Sequence, residues 1–263
     1  MFTILSAGTS FNYGLGLHFY GRKEKGYRYS YTLTPEEFEF NHSHSYHSLL
    51  ANKFNTTSKT ISSTGGLDIL ETISEIKQIV NQDNDVKIVL LQLINPERDF
   101  FIYNDKIYKI DFNSYEEFNE SKHKLIETIP VDIKDDFVKK LEQDLEEYIL
   151  NEPKWKEEHT GYFIDKVNAL DVYLKEKNVI FKVISYFHSY DSVIDKFNPN
   201  IFVKLKYNNT EYSNVYDLVM HNKLRIKDDL NDTTDDHPNF KGHEIVSENL
   251  YQNILKDSLY LYI

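Results

Sequence analysis

Apolar runs and amphipathic stretches alternate along the first hundred residues. Phe2 to Leu5 predicts a short buried strand, ended by Ser6-Ala7-Gly8-Thr9-Ser10. Gly14 and Gly16 punctuate the next segment, and residues 21–44, polar and aromatic without a clear period, are expected to form an insertion or a loose hairpin. Tyr46 to Phe54 places Leu49, Leu50 and Phe54 on one side of a short helix. Thr57 to Ser62 is β-branched and strand-like, and Gly65-Gly66 stop it. From Asp68 to Val80, the residues Ile69, Ile73, Ile76 and Val80 line one helix face. Val86 to Ile94 then reads as a strand buried on both sides. This order predicts a parallel sheet covered by helices.

Farther along, Phe100 to Phe112 predicts a hairpin turning at Asn104-Asp105. Tyr115 to Leu150 is charged and helical, with Phe137, Leu141 and Leu145 as its stripe, and Asn151-Glu152-Pro153 is expected to end it. A second helix carrying Phe163, Val167, Leu170 and Leu174 leads into a strand from Val179 to Ile184. Ile201 to Leu205 is read as one further strand, and Glu244 to Leu259 as the last helix. One α/β domain over residues 1–263, with a helical insertion at about 113–160, is the simplest parse.

Composition narrows the possible functions. With Lys+Arg 30 against Asp+Glu 42, the net charge is −12, which argues against broad binding to nucleic acid or to an anionic membrane. No apolar run approaches the roughly 20 residues of a membrane span. The absence of cysteine removes disulfides, thiolate nucleophiles and thiolate metal sites. The segment Met1-Phe2-Thr3-Ile4-Leu5-Ser6-Ala7 lacks a basic lead and a long apolar region, so cytoplasmic synthesis is expected, with virion association left open.

Two segments carry candidate chemistry. In Gly8-Thr9-Ser10-Phe11-Asn12-Tyr13-Gly14, a serine follows a strand, where backbone N–H groups at a helix start can stabilise negative charge. The alternative is an ordinary turn with Ser10 as a cap. In Asp235-Asp236-His237-Pro238-Asn239-Phe240-Lys241-Gly242-His243, a histidine of ordinary pKa about 6.5 is suited to act as a base, and an adjacent carboxylate to orient it. The competing reading is a solvated acidic loop before the last helix.

Together, Gly-x-Ser-Phe-x-x-Gly near the start and Asp-x-His-Pro-Asn-x-x-Gly-His near the end resemble the SGNH (GDSL-type) hydrolases, in a divergent form of bacterial or phage character. The resemblance implies a three-layer α/β/α flavodoxin-like sandwich with a parallel central sheet. It also implies an esterase or carbohydrate deacetylase without cofactor or metal, acting through a Ser–His–Asp triad. Carried over, Ser10 is the nucleophile, His237 the base and Asp235 its orienting acid, with Asp232 and Asp236 as alternatives and a Ser–His dyad also open. The oxyanion hole falls to the Ser10 N–H, to Gly65 (or Gly66) after the second strand, and to Asn95 after the third. Thr9 and Thr234 stand where the family usually has aspartate, and the glycine and aspartate flanking its asparagine are missing here. These departures keep open a degenerate carbohydrate-binding or virion-structural module, as well as acyl transfer to a sugar.

Arg98, one of four arginines, is a candidate clamp for an anionic substrate group or a surface ion pair. His42, His44 and His47 form a histidine-rich run, expected to be loop surface rather than a metal site. His243 is expected to cap the last helix or to bond within the His237 loop. The twenty tyrosines suit stacking on sugar rings or reflect compositional bias. The insertion is expected to form a lid or wall over the site.

Overall fold

The computed structural model of the chain describes residues 1–8, 12, 17, 34–62, 69–93, 101–104, 106–108, 110, 115–228 and 233–258. The first elements are β1 (Thr3–Gly8), α1 (Pro35–His44), α2 (Tyr46–Lys53), β2 (Thr57–Ser62), α3 (Ile69–Gln82) and β3 (Val86–Leu93). Then come β4 (Phe101–Tyr103), β5 (Lys106–Tyr108), α4 (Tyr115–Thr128), α5 (Lys134–Glu176) and β6 (Ile180–Ser185). A 3₁₀ helix (His188–Lys196) precedes β7 (Leu205–Tyr207), β8 (Thr210–Tyr212) and α6 (Val215–His221). The chain continues through β9 (Arg225–Asp228), β10 (Thr233–Pro238) and α7 (Phe240–Ser258).

β2, β1, β3 and β6 form the central sheet in that order, and every pairing is parallel. Side chains alternate across it as the strand period requires. Leu5, Ala7, Val89 and Leu91 face α3 and the second half of α5, while Ile4, Ile88, Leu90 and Ile184 face α2, α6 and α7. The result is a three-layer α/β/α sandwich of flavodoxin-like arrangement. Leu5 and Val89 are fully buried, and such side chains each stabilise the fold by about 1.5–3 kcal/mol. Because β1 leads to β2 on one side and β3 lies on the other, strand order reverses between β1 and β3, where open α/β sheets bind ligands beyond their carboxyl ends.

The helical region departs from expectation. Tyr115 to Leu150 is two helices, broken before Lys134, and the second meets the expected break at Asn151, beyond which a further helical stretch continues to Glu176. Pro153 removes the N–H that would bond to the Ile149 carbonyl, and Asn151 leaves helical geometry at φ −148°, ψ 54°. Burial of Phe163, Val167, Leu170 and Leu174 against the sheet carries the helix on to Glu176. The first half of α5 instead packs Phe137 and Leu141 against Phe101 and Tyr103 of the predicted hairpin, forming a separate small core. The insertion therefore shares one helix with the sandwich.

Other segments also differ. Residues 35–44 are helical, because Thr34 accepts from the Glu37 N–H while the Glu37 carboxylate accepts from the Thr34 N–H, a reciprocal cap with proline at the first position. Ile201–Leu205 is not a full strand. It makes one parallel bridge, Phe202 to Val183, before β7 turns back on β8. α6 and the β9–β10 pair were not among the predicted elements. Among the described residues, no helix is long and apolar enough to cross a membrane.

Candidate functional site

The carboxyl end of β1 is held from below. Ser6 points to the α2 side, where its hydroxyl donates to Asn12 Oδ1 and stands 3.3 Å from the Tyr46 hydroxyl. Tyr46 also donates to Asn12 Oδ1, at 2.7 Å, and all three residues are buried. Gly8, the glycine before Thr9-Ser10, has no room for a side chain. A Cβ there would lie 2.6 Å from Gln92 Oε1 and 3.1 Å from Asn12 Cβ. The glycine thus lets the end of β1 and Asn12 pack closely against Gln92 of β3.

His237 sits on β10, not in a loop as expected. Asp235 pairs with Ile226 and Pro238 with Arg225, so Asp236 and His237 bulge out opposite a single step of β9. Bulges of this kind re-aim a side chain. The His237 ring, half-buried, lies 6.3 Å from the Tyr186 ring. Tyr186 directly follows β6, its N–H donates to the Leu93 carbonyl at 3.2 Å, and its hydroxyl donates to the Asp236 carbonyl at 2.9 Å. Through Tyr186, the bulge is tied to the carboxyl ends of β3 and β6.

The corner after His237 is fixed by a cap and a close contact. Asn239 Oδ1 accepts from the Gly242 N–H at 3.0 Å and caps α7, which begins at Phe240, four residues before the expected start. A Cβ on Gly242 would lie 2.7 Å from Pro238 Cβ. Gly242→Ala is expected to cost about 1–3 kcal/mol through overpacking, and to lower kcat for any reaction using His237 more than it raises KM. Thermal unfolding and steady-state kinetics of the variant check both.

His243 does not cap the helix. It is fully buried, and its Nδ1 accepts from the Tyr46 backbone N–H at 3.1 Å, which requires a ring unprotonated at that nitrogen. Burial, assisted by the charges of His237 and His44, pushes its pKa down to about 3. The histidine run is likewise not loop surface. His42 and His44 lie on α1, and His47 on α2 is fully buried, with Nε2 2.7 Å from the Ser45 hydroxyl and Nδ1 3.1 Å from that of Ser58. Burial, then repulsion from His42 and His243, holds His47 well below the ordinary histidine value, against a hydrogen bond with the Asn12 backbone. Among the described residues, no group of three or more His, Asp or Glu stands close enough to hold a metal ion.

Asn12, Tyr46 and His243 therefore form a continuous buried contact between the segment that follows Ser10 and the helix that follows His237. Sequence reasoning missed Tyr46 and Gln92. Tyr46 begins a short amphipathic helix, and Gln92 is the single buried polar residue of an otherwise apolar strand interior. That placement was the one available signal. Ser10, Gly65, Gly66, Asn95, Arg98 and Asp232 lie outside the described residues, as does the side chain of Asp235. Asp236 is exposed. No protein-family model matches the sequence, and no curated protein matches it.

Proposed function

We propose that the protein is a serine ester hydrolase of SGNH type, with Ser10 as nucleophile and His237 as general base. The observation that carries this reading is the meeting of the two candidate segments, at opposite ends of the sequence, through Asn12, Tyr46 and His243. Three further features support it. The glycine of Gly8-Thr9-Ser10 is sterically required. The histidine bulge is anchored through Tyr186 to the carboxyl ends of β3 and β6, and β3 is the neighbour of β1. The strand order reverses at β1, beside which Ser10 follows.

In this mechanism, His237 takes the Ser10 proton as the hydroxyl oxygen attacks the ester carbonyl. Backbone N–H groups of Ser10 and Gly65, with the Asn95 amide, hold the resulting oxyanion, and each such donor contributes about 3–4 kcal/mol. Imidazolium then protonates the leaving alcohol. Water, deprotonated by the same histidine, releases the acid and restores the serine. Asp235 orients the ring, Arg98 clamps an anionic group on the substrate, and the hairpin with α4 and the first half of α5 selects the acyl or sugar portion. Acetylated carbohydrates are the proposed substrate class.

A fluorophosphonate probe tests the assignment. It is expected to label the wild type and not Ser10→Ala. Equal labelling of both would refute Ser10, and no labelling of a folded wild type would favour a non-catalytic binding module.

A further inference from the structure

A groove of about 580 Å³ runs between α7, α2 and β7, within the roughly 300–1,000 Å³ range of small-ligand sites. His237 does not line it. Three ammonium groups do, and each already faces a carboxylate. Lys53 Nζ is 2.6 Å from Glu248, Lys241 Nζ 2.9 Å from Glu244, and Lys206 Nζ 3.4 Å from Glu211. Glu244 raises the Lys241 pKa, while Lys53 lowers that of Glu248 and Lys204 and Lys206 lower that of Glu211.

This arrangement discriminates between ligand classes. A free anion drawn to the lysines is repelled by the carboxylates paired with them, and a cation drawn to the carboxylates is repelled by the lysines. A neutral polyhydroxylated molecule meets neither repulsion. Each ammonium has three N–H donors and each carboxylate about four acceptor positions, so one paired contact leaves donors and acceptors side by side. Leu49, Ile245 and the half-buried ring of Tyr207 add an apolar surface of the kind that receives a sugar ring face.

One further observation points the same way. Asn249 accepts from the Lys206 N–H at 2.7 Å and donates to the carbonyls of Lys206 and Ile245, locking β7 onto α7 and preorganising that wall.

We infer that this groove binds a neutral saccharide, separately from the ester site. The inference does not depend on Ser10. Its test is a titration of the isotopically labelled full chain with cellobiose, maltose and N,N′-diacetylchitobiose, followed by amide NMR, with inorganic phosphate as a parallel probe. At least one disaccharide is expected to shift the amides of Lys53, Lys206, Tyr207 and Lys241 in a saturable way. Tyr207→Ala is expected to weaken binding about tenfold and Tyr207→Phe to restore it, since the ring supplies the contact. Ser10→Ala should bind as the wild type does. Three outcomes would overturn the inference: no saturable shift with any disaccharide, shifts indifferent to Tyr207→Ala, or saturation of these amides by phosphate alone.

Discussion

Replacing His237 with alanine is expected to lower kcat/KM for short aryl esters by at least about a thousandfold, leaving residual turnover from the oxyanion donors and substrate binding. The serine hydroxyl is a poor nucleophile at its own pKa, and the rate depends on a base that accepts its proton as the bond forms. The bulge of β10 and the Tyr186 contact fix the ring's backbone independently of its side chain, so the variant should fold. Asn replacements of Asp232, Asp235 and Asp236 in the same assay identify the orienting acid as the one whose loss approaches that of His237. Wild-type turnover by His237→Ala would remove the histidine from the mechanism, whatever the serine does.

The second large effect is expected on acidification. His243 is buried with a pKa of about 3, and His47, also buried, is held well below the ordinary value. In the unfolded chain both return to about 6.5. A folded-state pKa below the unfolded one means that the unfolded chain binds more protons, so stability falls as pH falls. The contribution is complete above about pH 6.5. Below that it is lost at up to about 1.4 kcal/mol per pH unit for each histidine. For His243 alone, the loss is about 3 kcal/mol by pH 4. His42, half-buried and lowered by burial despite Glu39, adds in the same direction.

The structural consequence is specific. A proton on His243 Nδ1 would face the Tyr46 N–H, two donors with no acceptor, and would break the contact that links α2 to α7. Denaturant unfolding from pH 7 to pH 4 should therefore show a steep decline. His243→Asn keeps an acceptor for the Tyr46 N–H without a titrating group, and should flatten the decline at some cost in stability at pH 7. An unchanged slope in that variant would place the acid sensitivity elsewhere.

How much of this could be read from residues alone follows from the range of the forces involved. The strands β1, β2 and β3 and the helix α3 were legible because burial on a sheet imposes a local period, and Ile69, Ile73 and Ile76 obey it. The Asn104 hairpin was legible because its turn chemistry is local as well. Gly8 and Gly242 stood out as letters in two motifs, but the reason for each lies across the fold, in Gln92 and Pro238. The β9–β10 pair was illegible because its polar sequence, Thr233-Thr234-Asp235-Asp236, has no strand period. Backbone pairing with a distant partner makes it a strand.

The histidines show the same division most clearly. Local sequence makes Asn41-His42-Ser43-His44-Ser45-Tyr46-His47 look like exposed polar chain, and nothing within the heptad contradicts that. Only the docking of α7 against α2 closes water off from His47 and His243 and makes them neutral. Apolar periodicity thus sufficed for the class of fold and the order of its layers, since each element carries its own pattern. Burial of polar groups and the contact between the two chain ends are properties of packing between elements about two hundred residues apart, and no local pattern encodes them.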